Sequence, residues 1–183
     1  MRVLTCEAGV FYDAVDMFEC AMDGTPWTDR WYVGGHEDVA VGDLAYVIHG
    51  DGDGDGASVL ARGVVVEADA PDRLALLEAR WLRLGPAYCR NLHGLPESAD
   101  GTPPLFVRFD IESVVEMDHQ LPLESVPWPS GSGPDVVRAL ASGATLPGPA
   151  AASLAIAWDR HVAALLDDEL ALRLPVGGPA TSG

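Results

Sequence analysis

Residues 41–69 read VGDLAYVIHGDGDGDGASVLARGVVVEAD. Two runs, 44–49 and 58–67, are dense in Val, Leu, Ile and Tyr, residues that suit a pleated, half-buried surface. Between them lies a loop of Asp and Gly. Gly42-Asp43 supplies a tight turn ahead of the first run, because Gly accepts backbone angles that other residues resist. Gly63 interrupts the second run, where a strand glycine marks a bulge or a close backbone approach. The stretch predicts a β-hairpin in the middle of a small barrel.

Outward from the hairpin, 2–6 (RVLTC) predicts a short buried first strand. Phe11, Ala14, Val15, Phe18 and Met22 recur at helical spacing, so 11–22 predicts an amphipathic helix. Asp23-Gly24-Thr25-Pro26 ends it. Trp27, Trp31 and Tyr32 then form an aromatic cluster in a polar setting, a corner of the core or a pocket wall. After the hairpin, 73–83 is rich in helix formers with Leu74, Leu77 and Trp81 on one face. The segment from Tyr88 to Pro104 is irregular and polar. The alternation of LFVRFDI at 105–111 predicts a strand, which 114–117 extends, and 120–134 (rich in Pro, Ser and Gly) wraps the surface. Val136–Leu140 is a short apolar piece followed by the Ser142-Gly143 turn. Pro149 suits the first turn of a helix. Ala152, Ala155, Ile156, Trp158, Val162, Leu165 and Leu166 form an apolar stripe that predicts one long helix to about Leu172. Residues 1–172 read as a single domain and 173–183 as a flexible tail.

A chain of 183 residues suits one domain with a sizeable core. All 11 basic residues are Arg, against 28 Asp and Glu, a formal net charge of −17. Such a body repels a phosphate backbone at long range and argues against non-specific nucleic-acid binding. Locally, Arg73, Arg80, Arg83 and Arg90 fall in one stretch, either as a basic patch or as solvated arginines that balance nearby acids. The three cysteines, Cys6, Cys20 and Cys89, are odd in number and far apart, which predicts a reduced, cytoplasmic protein with no disulfide framework and no zinc cluster. No apolar run reaches the ~20 residues of a membrane span.

The loop 51–56 partly fits a calcium loop, with Asp51, Asp53, Asp55 and Gly56 in place. Its twelfth position, which needs a bidentate Glu, is Arg62, and strands flank it where helices are required; the preferred reading is an acidic hairpin tip. Cys89 and His93 have no orienting acid, so thiol catalysis is not supported.

The order Trp31, VGDLAYVIHGDG, VLARGVVVEADAPD and LFVRFDI resembles the EVE domain of the PUA-like superfamily, which also holds the ASCH and YTH domains. The run SGATLPGPAAASLAIAWDRHV resembles the SG-x-x-(I/L)-P … L-x-x-x-W-x-x-H ending of EVE-like domains joined to HNH nucleases in modification-dependent restriction. The opening VLTCEAG is similar to that group's first strand, although Cys6-Glu7-Ala8 stands where Trp-Asn-Pro is usual. The resemblance implies an α+β fold, a PUA-like β-barrel of mixed strands with peripheral helices and a long C-terminal helix. It implies non-catalytic recognition of a modified (for instance methylated) nucleobase in DNA or RNA, without cofactor or metal. Trp31 and Trp81 would stack on the base, at ~1–3 kcal/mol per base. Thr5, Cys6, Glu7 and the Ser142-Gly143 turn would contact its edge, and Arg80, Arg83 and Arg90 the phosphates. No nuclease motif accompanies the domain, so a nuclease or other effector partner would supply any cutting. The acidity favours a second expectation, a small-molecule or nucleotide-binding module that also serves protein interaction. A nucleoside-directed enzyme is a third, for which no acid–base pair can be named.

Overall fold

A computed structural model of the chain describes residues 1–7, 14–24, 31–33, 38–50, 56–69, 106–140 and 143–174. Seven strands form one mixed sheet: β1 (Arg2–Glu7), β2 (Trp31–Tyr32), β3 (Leu44–Gly50), β4 (Ala57–Asp69), β5 (Phe106–Val115), β6 (Leu121–Pro122) and β7 (Ala171–Arg173). Its main order is β1-β3-β4-β5-β2, with β6 on β4 and β7 on β5. β1 runs parallel to β3, and the other pairs are antiparallel. The helices are α1 (Ala14–Met22), α2 (Pro134–Arg138) and α3 (Gly148–Leu165). The protein is therefore α+β, but among the described residues the sheet stays open and does not close into the expected barrel.

The 41–69 hairpin forms as its sequence predicts, with β3 and β4 in antiparallel register from Leu44↔Val64 to Gly50↔Ala57. Gly42 sits at φ +94°, in the left-handed region that glycine tolerates. Its N–H donates to the Val65 carbonyl at 2.8 Å, and the Val65 N–H donates back to the Asp43 carbonyl at 2.9 Å.

Both faces of the sheet are buried. Under α1 lie Leu4, Ala45, Val47, Leu60, Val65, Phe109 and Val114, capped by Met17 and Ala21. Under α3 lie Val3, Tyr46, Ile48, Val59 and Val115, capped by Leu154, Trp158 and Val162. Period-2 alternation alone does not assign these faces, because register shifts interrupt both long strands. Before Leu60, Ala57 and Val59 face α3; after it, Ala61 and Val65 face α1. On β5, Phe109 and Ile111 face α1, whereas beyond Glu112 it is Val114 that does so and Val115 faces the opposite side. Each bulge adds one residue to one strand and so turns the rest of that strand over.

Several sequence expectations change. Helix α1 turns Met17 and Ala21 inward, while Met22, expected on the apolar face, is 61% exposed. Residues 120–134 do more than wrap the surface: Leu121, Leu123 and Val126 are buried in the α3-side core. The C-terminal helix ends at Leu165 instead of about Leu172, and Ile156 from its expected stripe is 52% exposed. Glu169, at φ 59°, helps reverse the chain, and β7 then pairs with Ser113–Val115 of β5. That pairing occupies the outer edge of β5 beyond β2, where backbone groups would otherwise lack strand partners. The helix expected at 73–83 lies outside the described residues.

Candidate functional site

Four of the residues nominated from sequence, Thr5, Cys6, Glu7 and Gly143, lie on or beside β1. Thr5, Cys6 and Glu7 close that strand, in register with Ile48, His49 and Gly50 of β3. Along the other edge of β1 runs the backbone of 143–146. The Gly143 N–H donates to the Val3 carbonyl at 2.7 Å, the Val3 N–H to the Ala144 carbonyl at 3.0 Å, and the Leu146 N–H to the Met1 carbonyl at 3.0 Å. Gly143 makes this bend at φ +92°, a conformation that side-chain-bearing residues rarely adopt. Its amide is engaged with β1, so Gly143 shapes the bend; it does not offer a spare donor.

Trp31 is placed differently from a rim residue. On β2, at the opposite end of the main strand order from β1, it pairs with Val107 and meets Phe109 edge-to-face, with ring centroids 5.1 Å apart. Its exposure is 0%, within the same core as Leu4 and Met17. Of the two readings open from sequence, this geometry is that of core packing, and a base reaches the ring only if the residues covering it part. Trp81, Ser142, Arg80, Arg83 and Arg90 lie outside the described residues, as do the 51–55 loop, Cys89 and His93. Among the described residues no group of His, Cys, Asp and Glu is arranged to hold a metal ion.

Two polar arrangements escaped the sequence reading. The first is Arg2, 6% exposed at the start of β1. Its Nε donates to Asp43 Oδ2 at 2.8 Å, and Nη1 to Asp38 Oδ2 at 2.8 Å and Thr145 Oγ1 at 2.7 Å. Longer and weaker is the Nη1 contact to the Gly143 carbonyl, at 3.3 Å, while Nη2 donates to the Asp38 carbonyl. A planar fork of donors suits this convergence, which a point-charge ammonium does not reproduce. Burial alone would raise the Asp43 pKa; the Ala40 N–H and the Arg2 guanidinium outweigh it and hold the carboxyl below its ordinary value.

The second is a row across the α3 side of the sheet, where the registers align Tyr46 with Arg62, Arg62 with Ser113, and Ser113 with Arg173. Arg62 Nε donates to Glu112 at 2.8 Å and Nη1 to Asp159 of α3 at 2.8 Å. The Trp158 indole N–H donates to the Ser113 hydroxyl at 2.8 Å, and the pair is buried. Burial pushes the Tyr46 phenol above its ordinary pKa, despite the neighbouring Arg62. A phenol held protonated and an arginine already paired with two carboxylates describe a fastening between helix and sheet.

The C-terminal motif read from sequence gains a packing explanation here. Leu154 and Trp158 enter the core, and His161 Nε2 lies 2.7 Å from the His119 carbonyl. Leu146, from the stretch before the helix, is buried as well. Comparison with protein-family models, with curated proteins and with solved structures finds no match to this chain.

Proposed function

We propose that the domain is a non-catalytic reader of a modified nucleobase in DNA or RNA, built in the manner of an EVE-like, PUA-like domain, with the base received beside β1. The observation that supports it most is the alignment of 143–146 along the outer edge of β1. This brings the Gly143 bend, one end of the resemblance, against the strand that carries Thr5, Cys6 and Glu7, the other end. Reading a base from a nucleic acid costs a few kcal/mol of lost stacking and pairing, which aromatic contact and edge hydrogen bonds must return. Trp31 is the described aromatic nominated for that contact; it stands on β2, at the other end of the main strand order, and is linked to β1 through the buried cluster it shares with Leu4. Its burial sets the condition: base entry must change the surroundings of its ring. The reading predicts that adding an oligonucleotide with the cognate modified base alters the emission of the wild-type protein but not that of the Trp31→Phe variant. Identical changes in both would remove Trp31 from the site.

A second reading has its own support. Arg2, Arg62, Arg108 and Arg138 each pair with an Asp or Glu, so these cations are already committed and contribute little to a phosphate grip. With a net charge of −17, this favours an uncharged ligand such as a free modified nucleoside, or a basic protein as partner. Nucleosides and oligonucleotides carrying the same base, compared in one titration series, separate the two readings.

A further inference from the structure

We propose that Arg2 is the positioning residue of this site, fixing the 143–145 bend against β1 through Thr145 and the Gly143 carbonyl. The inference rests on the base-reading proposal for its functional half. Three segments distant in sequence meet on one guanidinium: 38–43, the start of β1 and 143–145. The bend needs such a hold. It turns at a left-handed glycine, Thr145 beside it is exposed, and the backbone bonds to Met1 and Val3 tie it only to a strand end. Asp43 on Nε and Asp38 on Nη1 and Nη2 fix the guanidinium whose Nη1 also reaches Thr145, and the side chain is only 7% exposed, so water competes little for its donors. Arg2 touches no base in this arrangement; it acts by holding the bend beside the strand that carries Thr5, Cys6 and Glu7.

Arg2→Lys keeps the charge and removes the fork; Thr145→Val removes one acceptor at an exposed position. Two measurements are made on each variant and on the double variant, all at a temperature where circular dichroism shows them folded. The first is amide hydrogen exchange at Gly143. Exchange is expected to rise about tenfold in Arg2→Lys, the scale of a lost charge-assisted hydrogen bond, while Val47 and Ala61 in the sheet centre keep wild-type rates. The second is affinity for oligonucleotides carrying one 5-methylcytosine, 5-hydroxymethylcytosine or N6-methyladenine. Each single variant is expected to weaken the best wild-type probe, and the double variant to weaken it by less than the product of the two, because both act through one bend. Unchanged Gly143 exchange in Arg2→Lys overturns the inference whatever the binding shows. Raised exchange with unchanged affinity, or a loss spread equally over Val47 and Ala61, also overturns it. Wild-type protein that prefers none of the probes to unmodified strands overturns the base reading and with it the functional half; the exchange result still decides whether Arg2 holds the bend.

Discussion

At Gly63 an added Cβ would meet the Asp110 carbonyl oxygen at 2.2 Å and Phe109 Cδ2 at 2.5 Å. Backbone cannot yield as a flexible side-chain end does, so Gly63→Ala is expected to cost about 2 kcal/mol, read as a lower urea midpoint with an unchanged slope. The sequence announced this position, since an isolated glycine inside an apolar β run has few other reasons to be there. Asp43 was announced only as a turn residue; its pairing with Arg2, 41 positions away in sequence, has no local signature. The consequence is a pH dependence. A carboxyl whose folded pKa lies below its unfolded value contributes stability above the unfolded pKa and loses it as pH falls through the folded one. Asp43 is such a group. Wild-type stability should therefore fall more steeply than that of Asp43→Asn between about pH 5 and pH 2, measured as urea midpoints. Parallel curves would remove Asp43 from the acid transition.

Elements with their own period were legible, and those decided by a neighbour were not. The 41–69 hairpin, β1, the start of α3 at Pro149 and most of β5 follow from local pattern. β2 has two residues and exists because β5 offers an edge there. β7 was readable in part, because Leu170, Leu172 and Leu174 alternate, but the preceding helical stripe absorbed them. The bulges have no visible code beyond Gly63, yet they decide which residues meet α3. Ser113 is an example: the bulge beside it sends its hydroxyl to Trp158. Ser113→Ala is expected to destabilise by about 1–3 kcal/mol, since the buried indole N–H loses its acceptor and water cannot replace it. Thermal unfolding of this variant beside Ser125→Ala, whose hydroxyl is exposed and bonds the Pro122 carbonyl, provides the comparison. Equal shifts in the two would contradict the fastening of α3 through Trp158.

For the whole molecule, the hairpin predicted a barrel and the resemblance implied Trp31 and Trp81 stacking on a base; the described structure is an open sheet with helices on both faces and Trp31 inside. The difference has a physical source. Tryptophan is both a large hydrophobe and a stacking surface, and residue type alone does not separate the two. Its burial also makes Trp31→Ala a poor probe of binding, because deleting a buried aromatic costs ~3–5 kcal/mol of folding stability. The claim on which the account turns is discrimination of a modified base. Equilibrium competition tests it most directly: a labelled oligonucleotide with one modified base, displaced by unlabelled strands that differ only in that modification, at constant salt. The account predicts that, for at least one of the modified bases, the modified competitor displaces the label at a concentration at least about tenfold lower than its unmodified counterpart, a difference of ~1.4 kcal/mol. Equal displacement by modified and unmodified strands across the panel would contradict it.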